Sequence, residues 1–169
     1  MTLRHLFLLL AFLVPSVPSQ AIEIDDDLGE LVDQFQATSP DAAKQYLADY
    51  TVLVKLGQVD SSIGELMPIS SVAVLYFAGN GTVLGWSSKS ERVEKGRWIV
   101  DARSGQNEVC LIFPEGQGKG VCTILSRNDR RITESTRGNP FNLKAEQPAP
   151  FELGNSGVSL REIATQLGL

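Results

Sequence analysis

From about residue 50 to residue 136, short apolar runs alternate with polar positions and are punctuated by glycine, asparagine and proline, the pattern of consecutive antiparallel strands. Residues 51–56, TVLVKL, are β-branched and end at Gly57. In residues 71–88, Asn80-Gly81 is the preferred central pair of a two-residue type I′ turn. Closure there pairs Phe77 with Leu84 and Leu75 with Trp86 on one face, leaving Val74, Tyr76, Val83, Gly85 and Ser87 on the other. In residues 91–103, Gly96, Trp98, Val100 and Ala102 alternate with Arg97, Ile99 and Asp101, which places Trp98 in the same core as Trp86.

Residues 107–126 form a second hairpin, NEVCLIF and VCTILS around the turn PEGQGKG. Setting Cys110 opposite Cys122 also sets Leu111 against Val121 and Phe113 against Lys119, a self-consistent register. Arg127 to Arg130 then reads as a polar turn, and residues 131–136 as a weaker, threonine-rich edge strand.

Helical spacing marks both ends of the chain. Asp27 with Glu30 has the spacing of a capping box before Leu28, Leu31, Val32 and Phe35. Ser39 caps a second helix with Pro40 at its first position. Near the C-terminus Ser159 and Glu162 form another capping box, ahead of a stripe of Leu160, Ile163, Ala164 and Leu167, with Val158 placed to staple onto Ile163. Residues 58–68 read as a loop, and residues 141–153 as an irregular crossing pinned by Phe141, Leu143, Phe151 and Leu153.

The first 21 residues carry Arg4 and His5, an apolar run from Leu6 to Val14, and Ser19-Gln20-Ala21 as a small-x-small site, the layout of a secretory signal peptide. The run is well short of the roughly 20 residues a bilayer crossing needs, and no later stretch resembles a transmembrane segment. Cleavage after Ala21 leaves residues 22–169 as a single exported domain, periplasmic or extracellular. Export in turn makes the only two cysteines, Cys110 and Cys122, an expected disulfide, since an oxidising compartment favours bridging of an even pair. The fold class is therefore α+β: one antiparallel β-meander of about six or seven strands, open or curled into a half-barrel, with N-terminal helices and a short C-terminal helix.

Charge narrows the partners. A formal charge of -5 disfavours nonspecific binding to nucleic acid. The acids concentrate in residues 22–65 and the bases in residues 89–137. Arg127, Arg130, Arg131 and Arg137 gather around one turn and strand, where forked guanidinium groups suit an anion or alternatively solubilise an edge.

Catalytic signatures are sparse. The sole histidine, His5, lies in the leader, so the exported chain has no imidazole for Ser-His or Cys-His catalysis or for histidine-ligated zinc or haem. The turn at Gly116 to Gly120 lacks the Ser/Thr and following helix of a phosphate loop. Asp25-Asp26-Asp27 lacks the remainder of a calcium loop. Of the acids in the β region, Glu91, Glu94, Asp101, Glu108 and Glu115, Glu91 and Glu94 have opposite parity, against the facing pair that glycoside hydrolysis needs. Asn80-Gly81-Thr82 is a formal glycosylation sequon that reads as a turn signal. The cysteines lack the Cys-x-x-Cys spacing of a redox pair. No catalytic, cofactor or metal residues are assigned.

The pattern F-x-x-x-G-T-V-x-G-W from Phe77 to Trp86, then G-x-W from Gly96 to Trp98 and two strand cysteines, resembles small exported bacterial proteins of unknown function with a disulfide-bearing β-meander or lipocalin-like half-barrel. The resemblance covers residues 72–126 and brings no catalytic residues. The expected function is a noncatalytic binding or interaction module of the cell envelope, its partner an envelope protein or small ligand. The alternatives are an Asp/Glu-dependent hydrolase of an envelope polymer and a structural envelope component. Bridging Cys110 and Cys122 closes a loop of about a dozen residues, worth about 3 kcal/mol in chain entropy. Reduction is accordingly expected to lower the melting temperature by roughly 10 °C, and an unchanged melting temperature would remove the stapling role.

Overall fold

A computed structural model of the chain describes residues 22–55, 72–87, 90–103, 105–114, 120–124, 132–153 and 158–169. In chain order these form β1 (Ile24–Asp25), α1 (Gly29–Ala37), α2 (Pro40–Leu47), β2 (Tyr50–Lys55), β3 (Val72–Phe77), β4 (Thr82–Ser87), β5 (Glu94–Arg103), β6 (Gln106–Ile112), β7 (Gly120–Ile124), β8 (Ile132–Arg137) and α3 (Leu160–Leu167). The strands make one antiparallel sheet in the order β1-β8-β2-β3-β4-β5-β6-β7, seven main strands with the two-residue β1 added at one edge. The expected α+β layout is present, as an open sheet.

β8 is not the outer edge that its polarity suggests. It lies between β2 and β1, with Tyr50 opposite Arg137 and Val52 opposite Ser135, so the chain returns from the β7 edge to the far side of β2. β7 and β8 run in the same direction on opposite sides of the meander, yet only seven residues join them. Eight peptide steps reach at most about 28 Å. Seven flat strands would span about 29 Å before any travel along the strand is added, so the sheet must curl.

Both faces of the sheet are buried. One face packs Val52, Val54, Leu75, Phe77, Val83, Trp98, Val109 and Leu111 against α1 and α2 through Val32, Phe35, Ala43 and Leu47. The other packs Leu53, Val72 and Val74 under α3 and the 141–153 crossing. Phe141, Leu143, Phe151 and Leu153 do pin that crossing, and Phe141 meets Phe151 edge to face with ring centroids 5.8 Å apart. Ser159 and Glu162 form the capping box in full, and Val158 and Ile163 lie in the same cluster.

The β3–β4 hairpin differs from the expected register by one residue. Phe77 pairs with Val83, Leu75 with Gly85 and Val74 with Trp86. The loop has three residues: the Gly81 N–H donates to the Ala78 carbonyl at 3.0 Å, Asn80 keeps a negative φ, and Gly81 alone takes positive φ, 84°. That is the type I turn with a glycine bulge, not the two-residue type I′ turn. One residue of slip exchanges the faces of β4. Val83 joins Trp98, whereas Trp86 packs with the cluster beneath α3, so the two tryptophans occupy different cores. The hairpin around the cysteines keeps the expected register, with Cys110 opposite Cys122 in a disulfide and Leu111 opposite Val121; Lys119, expected against Phe113, lies outside the described residues, as do the 58–68 loop and the turn from Arg127 to Arg130.

At α1 the expected capping box is not formed. Leu28 takes the cap position with no side-chain hydrogen bond, and Asp27 Oδ1 instead accepts from the Gly29 N–H at 2.9 Å. The helix is secured at its other end. Asn107 of β6, buried, donates from Nδ2 to the carbonyls of Phe35 at 2.6 Å and Thr38 at 2.9 Å, oxygens that a helix terminus leaves without partners. Gln36 in turn donates to the Asn107 carbonyl and accepts its N–H, at 2.9 and 3.0 Å. Asn107→Ala is expected to cost about 1–3 kcal/mol by stripping two buried carbonyls of their donor. Urea unfolding measures this, and a loss below about 0.5 kcal/mol, the ordinary surface range, would deny the residue its docking role.

Candidate functional site

The seam where β8 rejoins the sheet carries an open pocket of about 530 Å³, lined by Ile22, Glu23, Ile24, Asp25, Tyr50, Ser135, Thr136, Arg137 and Pro140. Three strands build it. β1 is held by its own alternation: Ile22 and Ile24 pack toward the α3 core, and the Thr136 hydroxyl donates to the Glu23 carbonyl at 2.7 Å. β2 contributes Tyr50 at its first position, and β8 contributes Ser135 and Arg137 from one face.

Arg137 is the one member of the predicted arginine group that the structure describes; Arg127, Arg130 and Arg131 lie outside the described residues. Its guanidinium sits 4.2 Å from the centroid of the Tyr50 ring, directly across the strand pair. That stacking fixes the guanidinium plane and leaves its N–H edge available. Among the described residues no carboxylate lies within ion-pair distance of it. Ser135, two positions away on the same face, is 1% exposed, and its Oγ is buried with no hydrogen-bond partner. An unsatisfied buried hydroxyl costs about 1–3 kcal/mol, and Thr133 Oγ1 on the same strand is in the same condition.

The junction behind Tyr50 is rigid. Asp49 takes a left-handed conformation, φ 61°, and its N–H donates to the Phe77 carbonyl at 2.6 Å while its carbonyl accepts from Gly138 at 2.7 Å. The Thr51 hydroxyl donates to the Gly138 carbonyl at 2.6 Å. Asp49 thereby ties β3 to the turn after β8, and its carboxylate accepts from the Tyr76 hydroxyl at 2.9 Å.

The acids singled out in the β region do not converge on this pocket. Asp101 and Glu108 are cross-strand partners that share Arg103, whose Nε lies 3.1 Å from Asp101 and 3.8 Å from Glu108. A carboxylate pair held around a guanidinium is an ion-pair cluster rather than an acid and base poised apart. Glu94 belongs to β5, Glu91 is exposed ahead of it, and Glu115 lies outside the described residues. Glu108 also stands beside the disulfide, its carboxylate and both sulfurs lying within 4.8 Å of one another. The sulfurs are bonded to each other and so are not the thiolates that bind metal.

Sequence reasoning missed Glu23, Asp25, Tyr50 and Ser135 as pocket residues. The available signal was the strict alternation Ile22-Glu23-Ile24-Asp25, a period-two pattern ahead of the first helix. No helix among the described residues is long and apolar enough to cross a membrane. Comparison of the chain with protein-family models, with curated proteins and with solved structures finds no match.

Partial burial, then the hydrogen bond to Asp49 and its charge, raise the Tyr76 hydroxyl above its ordinary value of 10.0. The fold therefore holds the neutral phenol more tightly than the unfolded chain does. The stabilisation is whole below about pH 10 and is lost as pH rises through the raised folded value. Thermal unfolding followed from pH 8 to pH 11 should show this alkaline loss, and Tyr76→Phe should flatten it while costing about 1 kcal/mol at neutral pH. An alkaline branch unchanged in the variant would assign the loss to other groups.

Proposed function

We propose that this chain is an exported, noncatalytic binding protein of the cell envelope, whose ligand enters the pocket between β1, β8 and β2. The observation that carries the reading is Arg137: a guanidinium oriented by Tyr50, without a carboxylate partner among the described residues, beside the unsatisfied hydroxyl of Ser135. An exposed guanidinium held in a concavity with no carboxylate partner among the described residues has its forked N–H donors available to a ligand oxygen. The pocket volume falls in the range of small-molecule sites, about 300–1,000 Å³.

Export is supported by the leader and by the disulfide between Cys110 and Cys122, a bond of oxidising compartments. The noncatalytic part of the reading rests on the missing imidazole in the exported chain and on the Asp101 and Glu108 carboxylates being held around Arg103.

Native mass spectrometry and pull-downs of the protein from envelope extract should reveal a bound small molecule. Arg137→Gln should reduce its occupancy at least tenfold, the loss of roughly one charge-assisted hydrogen bond pair, with a melting temperature within about 3 °C of the parent because the side chain is exposed. Equal occupancy in the variant, or turnover of an envelope polymer with no retained ligand, would overturn the proposal.

A further inference from the structure

We infer that the pocket takes a small zwitterion, a ligand carrying a carboxylate and an ammonium group, of which a free dipeptide is the simplest case; the inference rests on the binding role proposed for Arg137. Three charged side chains line the pocket, Glu23 and Asp25 on the β1 side and Arg137 on β8, and none of them pairs with another. Asp25 Oδ1 accepts the Asp27 N–H at 2.8 Å, which leaves Oδ2 without a partner among the described residues. Glu23 engages Thr136 only through its backbone carbonyl.

The spacing of these charges follows from the sheet register. Asp25 is directly opposite Ser135, and Arg137 lies two positions further along the same face of β8. Diagonal neighbours across an antiparallel pair are about 7–8 Å apart. Asp25 and Arg137 are diagonal neighbours on adjacent strands, and the same register continued by one residue sets Glu23 opposite Arg137, so the unpaired acids and the guanidinium lie side by side within the span of one small molecule. An extended dipeptide spans at most about 7 Å.

Charge sign excludes the simpler anion. Inorganic phosphate or a sulfate ester drawn to Arg137 would lie beside two carboxylates with no cation to offset them, an arrangement that like-charge repulsion disfavours. A carboxylate on Arg137 with an ammonium on Asp25 and Glu23 gives every charged group of the pocket a partner of opposite sign at once. Tyr50 supplies the apolar floor between the two ends.

The test is calorimetric titration of the purified exported protein with alanine-based dipeptides bearing each natural second residue, with their N-acetylated and C-amidated forms, and with inorganic phosphate. At least one unblocked dipeptide is expected to bind, and either cap to weaken it at least tenfold, the value of one charged contact. Replacing Glu23→Gln together with Asp25→Asn should weaken the free dipeptide and leave the N-acetylated form unchanged, a difference that mere unfolding would not produce. Binding of the N-acetylated peptide or of phosphate as tightly as the free dipeptide, with Arg137→Gln weakening it, would overturn the zwitterion and leave the Arg137 site standing. Absence of binding by every peptide and by phosphate would overturn the zwitterion, and absence as well of any small molecule retained by the parent and lost from Arg137→Gln in native mass spectrometry would overturn the Arg137 site.

Discussion

The sheet has two apolar faces, and everything else in the fold answers to that. β2 and β3 sit at its centre and bury residues on both sides: Val52 and Val54 face α1 and α2 while Leu53 faces the C-terminal cover, and Leu75 and Phe77 oppose Val72 and Val74 in the same way. Neither face can be left in water, since each buried side chain of this size is worth about 1.5–3 kcal/mol. One face is therefore closed by the N-terminal helices and the other by the 141–153 crossing with α3. A strand buried on both sides reads as a continuous apolar run, as TVLVK and VAVLYF do, and has no parity to show. Strand β5 is different: Trp98 is inside and Ile99 is 40% exposed, so its alternation declares the face directly.

This distinction explains what was legible in the sequence. The capping box of α3, the proline-started α2, the alternation of β5 and the cysteine register are local features whose chemistry is complete within a few residues, and they stand; the box expected at α1, equally local, does not form. The β3–β4 register is not local. Asn80-Gly81 satisfies both a two-residue and a three-residue loop, and apolar residues on both sides of the turn fit either. What decides is Trp98 on the neighbouring strand. Its N–H donates to the Gly81 carbonyl at 2.9 Å and its indole Nε1 to the Ala78 carbonyl at 3.0 Å, while Phe77 meets the ring edge to face at 5.2 Å. Those three contacts need the longer loop, and the slip they impose sends Trp86 to the opposite core.

The pocket was hidden for a related reason. Arg137 was visible as a candidate from residue type alone, but its setting depends on β8 pairing with β2, two residues separated by more than eighty positions in the case of Tyr50 and Arg137. A threonine-rich strand after a polar turn looks like the next strand of a meander. Here the chain instead crosses to the far edge, because the free side of β2 is the remaining place where Leu53 and Thr51 can be covered on both flanks. Thr51 and Thr136, both buried, are accommodated by hydroxyl bonds to the Gly138 and Glu23 carbonyls. The polarity that suggested an exposed edge is thus the hydrogen-bonding capacity that fastens β8 and β1 together.

Location of the pocket follows from the same crossing. A curled sheet that ends in a two-residue β1 leaves β8 paired outward only at Ser135 and Thr136 among the described residues. The helices α1 and α2 cover the β5–β6 side of their face, and they do not line the β1–β8 side. Tyr50 there packs against the margin of the helix-covered core, while Glu23, Asp25 and Arg137 are exposed. Charges placed on that face remain solvated when the site is empty, which is why Glu23, Asp25 and Arg137 can be tolerated unpaired, whereas the same three groups under α1 would have to pair or titrate. Ser135 is the exception, buried and unsatisfied at the floor of the same concavity. The fold satisfies the hydroxyls of Thr51 and Thr136 through backbone carbonyls, whereas those of Ser135 and Thr133 on the same strand find no partner among the described residues.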